Sequence, residues 1–253
     1  MVYDLQKASL LKRVSAWLLD MILLCVLVTG VASLMSGLLK YDSYYDTLNG
    51  CKETYEKQYG VSFDITQEDY DAQTPEQRAV YEQAVAAMNA DEDAMMAYSM
   101  LINLSLVIVS VSVLAAYLLL EFAVPLLFGN GQTLGKKVFA IGLMKTNGVK
   151  INTVSLFIRT VLGKFTVETM IPLLMVMMML LGLIGILGPL IVFSIALVQI
   201  VMMITSKTNS PIHDAMAQTV AVDIHSQLIF GSEDQLWEYK KRAHEEMVRR
   251  QSY

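Results

Sequence analysis

Apolar residues dominate three tracts of the chain, Val14 to Leu39, Met95 to Phe128 and Ile171 to Thr205. Crossing a hydrocarbon core takes about 17 to 25 mainly apolar residues, so each of the first two predicts one membrane helix. As a single straight helix the third would be ~50 Å long, too long for a core of about 30 Å. Two helices turning near "GILGPL", where Gly188 and Pro189 form a turn signal, fit it better.

Between the tracts the period changes. "KVFAIGLMKTNGVKINTV" reads as two short extended runs around Asn147-Gly148, a dipeptide suited to a type I′ turn, and "TVAVDI" from Thr219 is a third such run. A lone hairpin is marginal in water, so the third run is expected to pair with it. That needs both on one side of the membrane, which four spans achieve and three do not. In the segment 40–95, "TPEQRAVYEQAVAAM" places Thr74 at an N-cap, Pro75 first in the helix and Gln77 third, the pattern of an amphipathic helix that caps the bundle in solvent.

The fold predicted is an all-α membrane protein: a four-transmembrane-helix bundle with a small cytoplasmic β-hairpin/strand layer and an extracytoplasmic helical insert. The chain divides into a leader with the first span (1–39), an acidic insert (40–95), the second span (96–128), a basic connector with the hairpin (129–170), the third and fourth spans (171–205) and a tail (206–253). The end of the tail, "DQLWEYKKRAHEEMVRR", is compatible with a helix, docked or loose.

Composition agrees with the pattern. The chain has 253 residues, 55% hydrophobic and 17% charged, and a mean hydropathy of +0.47, too apolar for an ordinary soluble domain. The first tract is longer than a secretory h-region and carries Asp20, so a membrane helix is preferred to a signal peptide. Charge then sets orientation. Lys7, Lys12 and Arg13 precede the first tract, and Lys136, Lys137, Lys145, Lys150, Arg159 and Lys164 face only Glu168 in the connector, while residues 40–95 are strongly acidic. By the positive-inside rule, leader, connector and both termini are cytoplasmic in a multi-pass protein of the cell membrane.

The polar residues within the apolar tracts carry the candidate chemistry. Arg13 and Asp20 lie two helical turns apart on one face, with Arg13 near enough to the boundary to reach phosphate headgroups. A carboxylate at the depth of Asp20 costs about 2.5 to 3.5 kcal/mol on insertion scales and must face the bundle interior. Asp20 is therefore either a polar tie between helices or an ion- and proton-coupling group. Glu121, about level with it in the second tract, raises the same pair of readings. Asn103 and Gln199 read as interhelical hydrogen-bonding residues. In "NSPIHDAM", Ser210 is placed to cap a helix that has Asp214 in its first turn; alternatively Asp214 pairs with Arg13 or Arg159. His213 is expected to be solvated, with pH sensing as the alternative.

These residues carry a resemblance. "RVSAWLLD" with Arg13 and Asp20, "GQTLGKK" with Gly131, Gln132, Thr133, Gly135 and Lys136, "IGLMKTNG", Arg159 in "FIRTVLG" and Asp214 in "SPIHDAMAQTVAV" resemble, in order, the motifs of the RDD family of membrane proteins over about residues 1–226. The family is named for one arginine and two aspartates, which correspond here to Arg13, Asp20 and Asp214. "SPIHD" departs from it in lacking the arginine that often precedes the last aspartate. The resemblance implies a membrane protein, in many members a transporter and in some similar to sodium or potassium/proton antiporters.

Other classes are less well served. "GNGQTLGKK" has Asn130 where a phosphate-binding loop needs its first glycine, and Lys137 where it needs Ser or Thr. Its glycines are expected to end the second span in a turn, with Lys136 and Lys137 at the headgroups. The methionine run 175–180 reads as packing surface. Cys25 and Cys51 suggest neither a metal nor a disulfide. No metal, cofactor, nucleic acid or enzymatic activity is expected. The expected partners are membrane lipids, protons and monovalent cations, and a second copy of the chain. Transport is the favoured function, and a membrane scaffold binding partners or lipids the alternative.

Overall fold

The structure is a computed structural model that describes residues 5–251. Among the described residues, four helices are long and apolar enough to cross a membrane, Leu10–Leu38, Glu92–Phe128, Thr153–Leu180 and Leu187–Thr205. They are called the first to fourth spans. The third begins at Thr153, well before the apolar tract at 171. Asn152 caps it by accepting a hydrogen bond from Ser155 N at 2.9 Å, so Arg159, Lys164 and Glu168 lie within a helix and not in a connector. The chain reverses over residues 181–186, with Gly182 at φ +69°. Gly188 and Pro189 therefore sit in the first turn of the fourth span, where proline's missing N–H is tolerated.

The second and third spans share a local irregularity. Each contains a π-helical stretch, Tyr117–Ala123 and Ile158–Met170, and each stretch ends just before a proline, Pro125 and Pro172. Proline has no N–H to offer the carbonyl four residues earlier, and its ring crowds that carbonyl. Those carbonyls belong to Glu121 and Glu168. The wider turn relieves the clash, and the Glu121 carbonyl accepts the Thr160 hydroxyl at 3.0 Å across the two spans.

The chain forms two compact units. In the unit built from residues up to 28 and from 113 onward, β1 (Ile141–Lys145) pairs antiparallel with β2 (Thr219–Asp223), Leu143 opposite Ala221. The third run thus pairs with the first as expected, but the second arm of the hairpin forms only a bridge, Met144 to Lys150. Ile141, Leu143 and Ala221 pack on one face with Ala8, Ala16 and Leu156, and Met144, Val220 and Val222 on the other. The leader covers the free edge of β2, with Ala8 N donating to Ala221 O at 3.2 Å. That occupies a β2 edge that would otherwise be open to pairing. The C-terminal helix Glu233–Gln251 is anchored by buried Leu236 and by Tyr239, whose ring lies 5.2 Å from that of Phe230.

The unit Thr29–Ser112 carries the insert. Thr74 and Gln77 form the expected capping box of the helix Pro75–Ala90, which packs against the helix Tyr41–Tyr59. Buried Ala84, Ala94 and Ala97 let helix backbones approach closely. Tyr55 donates to Asp91 at 3.0 Å.

Candidate functional site

Asp20 reaches the loop that follows the second span. Thr133 caps the short helix Leu134–Val138 and donates its hydroxyl to Asp20 Oδ2 at 2.5 Å, while Gly135 N donates to Oδ1 at 2.7 Å. Both carboxylate oxygens are therefore bonded to the start of that helix. A Cβ on Gly135 would overlap the Ala16 carbonyl and meet Asp20 Cγ at 2.9 Å, so this approach needs glycine. In the same loop Gly131 takes φ +62°, and buried Gln132 donates to Ile141 O at 2.9 Å.

Glu121 does not bond to Asp20. The two border one small gap beside Leu134, but Glu121 Oε1 pairs with Lys164 Nζ at 2.7 Å. Its Oε2 is buried with no partner among the described residues. Lys136 is buried nearby and not at the headgroups. Burial, then the charge of Arg159, push its ammonium down to about 7, against the pull of Glu121. Lys137 instead lies 3.7 Å over the Phe128 ring.

The third span meets the short return helix Ile212–Met216. Ser210 does not cap that helix; its hydroxyl bonds to Thr208. Arg159 Nε donates to Asp214 Oδ1 at 2.7 Å, and Thr219 adds a bond at 2.8 Å. Burial alone would raise Asp214, but the charge of Arg159 and the hydrogen bonds from Arg159 and Thr219 hold the carboxyl below its usual range. His213 is buried and not solvated. Its Nδ1 lies 2.7 Å from Glu168 Oε2, and its Nε2 lies 3.0 Å from Arg159 NH2. Nε2 accepting from arginine and Nδ1–H donating to Glu168 describe a neutral imidazole. Burial and then Arg159 lower its pKa accordingly. A Cβ on Gly163 would come within 2.6 Å of His213 Cβ, so glycine sets this contact too.

Arg13 completes the set. It is half-buried and donates to Asn209 O at 2.9 Å. With Asp20, Lys136, Arg159, Lys164 and Asp214 it lines a cavity of about 680 Å³. The sequence singled out Arg13, Asp20, Arg159, Asp214 and Lys136, which all line this cavity, but it did not foresee that they share it. It missed Lys164, Glu168 and the burial of His213, because charges at 159, 164 and 168 read as a solvated connector. The signal was in the spacing: Arg159, Gly163 and Met170 fall on one helical face, and all are buried.

The pattern that defines the RDD family matches residues 7–218. The chain belongs to the RDD family. Arg13, Asp20 and Asp214 all fall within that range, and in this RDD protein the two aspartates hold different partners: Asp20 a helix start, Asp214 the third-span arginine. No curated protein and no solved structure matches this chain.

Proposed function

We propose that this membrane protein is a transporter that exchanges a monovalent cation for a proton at the charged cavity. The observation that carries the reading is the charge balance there. Arg13, Lys136, Arg159 and Lys164 line it with Asp20, Glu168 and Asp214, and Glu121, outside the lining, pairs with Lys164 at 2.7 Å, with His213 neutral. The set is neutral when Lys136 holds its proton and has one excess negative charge when it does not. An uncompensated buried charge is costly, so a proton on Lys136 and a monovalent cation in the cavity compete for one position. Lys136, held near 7, changes state in the physiological range. In this reading the protein sits in the cell membrane with both termini cytoplasmic, is not an enzyme, binds no nucleic acid and works as a homo-oligomer.

Reconstitution in liposomes with an internal pH dye tests it. Sodium, potassium or lithium gradients should drive proton movement that Lys136→Met abolishes. Wild-type exchange in that variant would refute the role of Lys136.

One observation favours the scaffold reading for part of the site. Both oxygens of Asp20 are occupied by Thr133 and Gly135, which supports a role for Asp20 as a polar tie.

A further inference from the structure

The apolar part of the cavity has no role in ion exchange. Its walls are Leu10, Val14 and Trp17 of the first span and Ala196, Ile200 and Met203 of the fourth. Spacings of three and four place each trio on one helical face. Trp17 and Ile200 are 53% and 55% exposed, and on spans of this hydropathy such exposure is toward acyl chains.

Beside these walls stand Arg13, which lines the cavity, and Lys7, which shares its Asn209 partner. Arg13, one turn into the first span, uses NH1 on the Asn209 carbonyl. Lys7 Nζ bonds the Asn209 side chain at 2.6 Å and Lys207 O at 3.1 Å. Neither cation has a carboxylate within ion-pair distance among the described residues, whereas nearby Lys12 pairs with Asp223 at 2.5 Å. Two cations at one asparagine, at the head of an apolar cleft, match an anionic head with an acyl tail.

We propose that this cleft binds an anionic phospholipid from the leaflet at the N-terminal end of the first span, its phosphate on Arg13 and Lys7 and an acyl chain between Trp17 and Ile200. Arginine suits a phosphate because its planar fork donates to two oxygens. Basic pockets between membrane helices are a recurrent form of headgroup site, and a volume of about 680 Å³ lies within the roughly 300–1,000 Å³ typical of ligand pockets. A free phosphate would fill the cationic end but leave the apolar walls unused. A zwitterionic lipid would bring its ammonium against Arg13 and Lys7.

The test uses the full chain in mild detergent, with lipid retention read by native mass spectrometry against phosphatidylglycerol, phosphatidylcholine and inorganic phosphate. Phosphatidylglycerol should be retained at least tenfold over phosphatidylcholine and should survive millimolar phosphate. Arg13→Gln should lose it through the head, and Ala196→Trp, which leaves every charged group in place, through the tail. Equal retention of the two lipids, displacement by phosphate, or unchanged retention in both variants would overturn the proposal. A photoreactive phosphatidylglycerol on the unaltered protein removes any dependence on the folding of a variant. Its adducts should concentrate in 10–17 and 196–203, and an even spread along the spans counts against the site. Cation exchange in phosphatidylcholine vesicles is unaffected by this outcome, so the two proposals fail separately.

Discussion

Arg159 Nε and Asp214 Oδ1 are 2.7 Å apart, with side chains 3% and 2% exposed. This pair ties the third span to the return helix, and through Thr219 to β2. Removing one member of a buried pair leaves an unpaired charge, at a cost of about 3–5 kcal/mol. Asp214→Leu should therefore sharply lower the unfolding temperature in detergent, and Arg159→Met with Asp214→Leu should recover much of the loss. A double variant as unstable as the single one would mean that packing, and not charge, holds the return helix.

Asp20 behaves differently because neutral donors hold it. Asparagine keeps one carbonyl oxygen for Gly135 N, so Asp20→Asn should lose only about 1–2 kcal/mol, while the loss of one of the four negative charges should weaken exchange. Thermal unfolding and liposome exchange measured on the same preparation separate the two effects. Full stability with abolished exchange would make Asp20 the coupling group.

Gly163 and Gly135 are set by close approach and not by a left-handed backbone. Alanine at 163 pushes against His213, and alanine at 135 against Ala16 and Asp20. Each should cost about 1–3 kcal/mol as an overpacked contact. Serine and alanine should be equally harmful, since the clash is with Cβ. Near-wild-type unfolding of Gly163→Ala would show that the return helix can shift.

Stability should rise with pH. Lys136 is held at about 7 when folded, against an ordinary 10.5. Between those values the unfolded chain binds a proton that the folded one does not, so the unfolding free energy increases with pH across that window. His213, lowered from 6.5 chiefly by burial, contributes in the same sense just below 6.5. The Asp214 contribution is complete above 3.8 and is lost as pH falls through that value and below. Melting scans from pH 6 to 9 should show a rise, and Lys136→Met should flatten its upper part. An unchanged slope in that variant assigns the effect elsewhere.

Much of this was legible in the sequence. Apolar length located the spans, and "TNG" with "TVAVDI" located the sheet, because these signals are local. The start of the third span was not legible, since its charges are neutralised only by residues far along the chain: Glu121 for Lys164, and Asp214 for Arg159. His213 was misread for the same reason, its partners lying 45 and 54 residues away. The π turns were not anticipated, although Pro125 and Pro172 marked both. Each falls four residues after a glutamate of the cluster.

The central claim is that a cation and the Lys136 proton exclude one another. It is tested most directly by proton release from the detergent-solubilised protein in weak buffer near pH 7 as sodium, potassium or lithium is added. Saturable release of up to about half a proton per chain, since Lys136 is about half protonated there, and its absence from Lys136→Met are the predicted results. No release with any of the three cations, from protein that remains folded, would contradict the account.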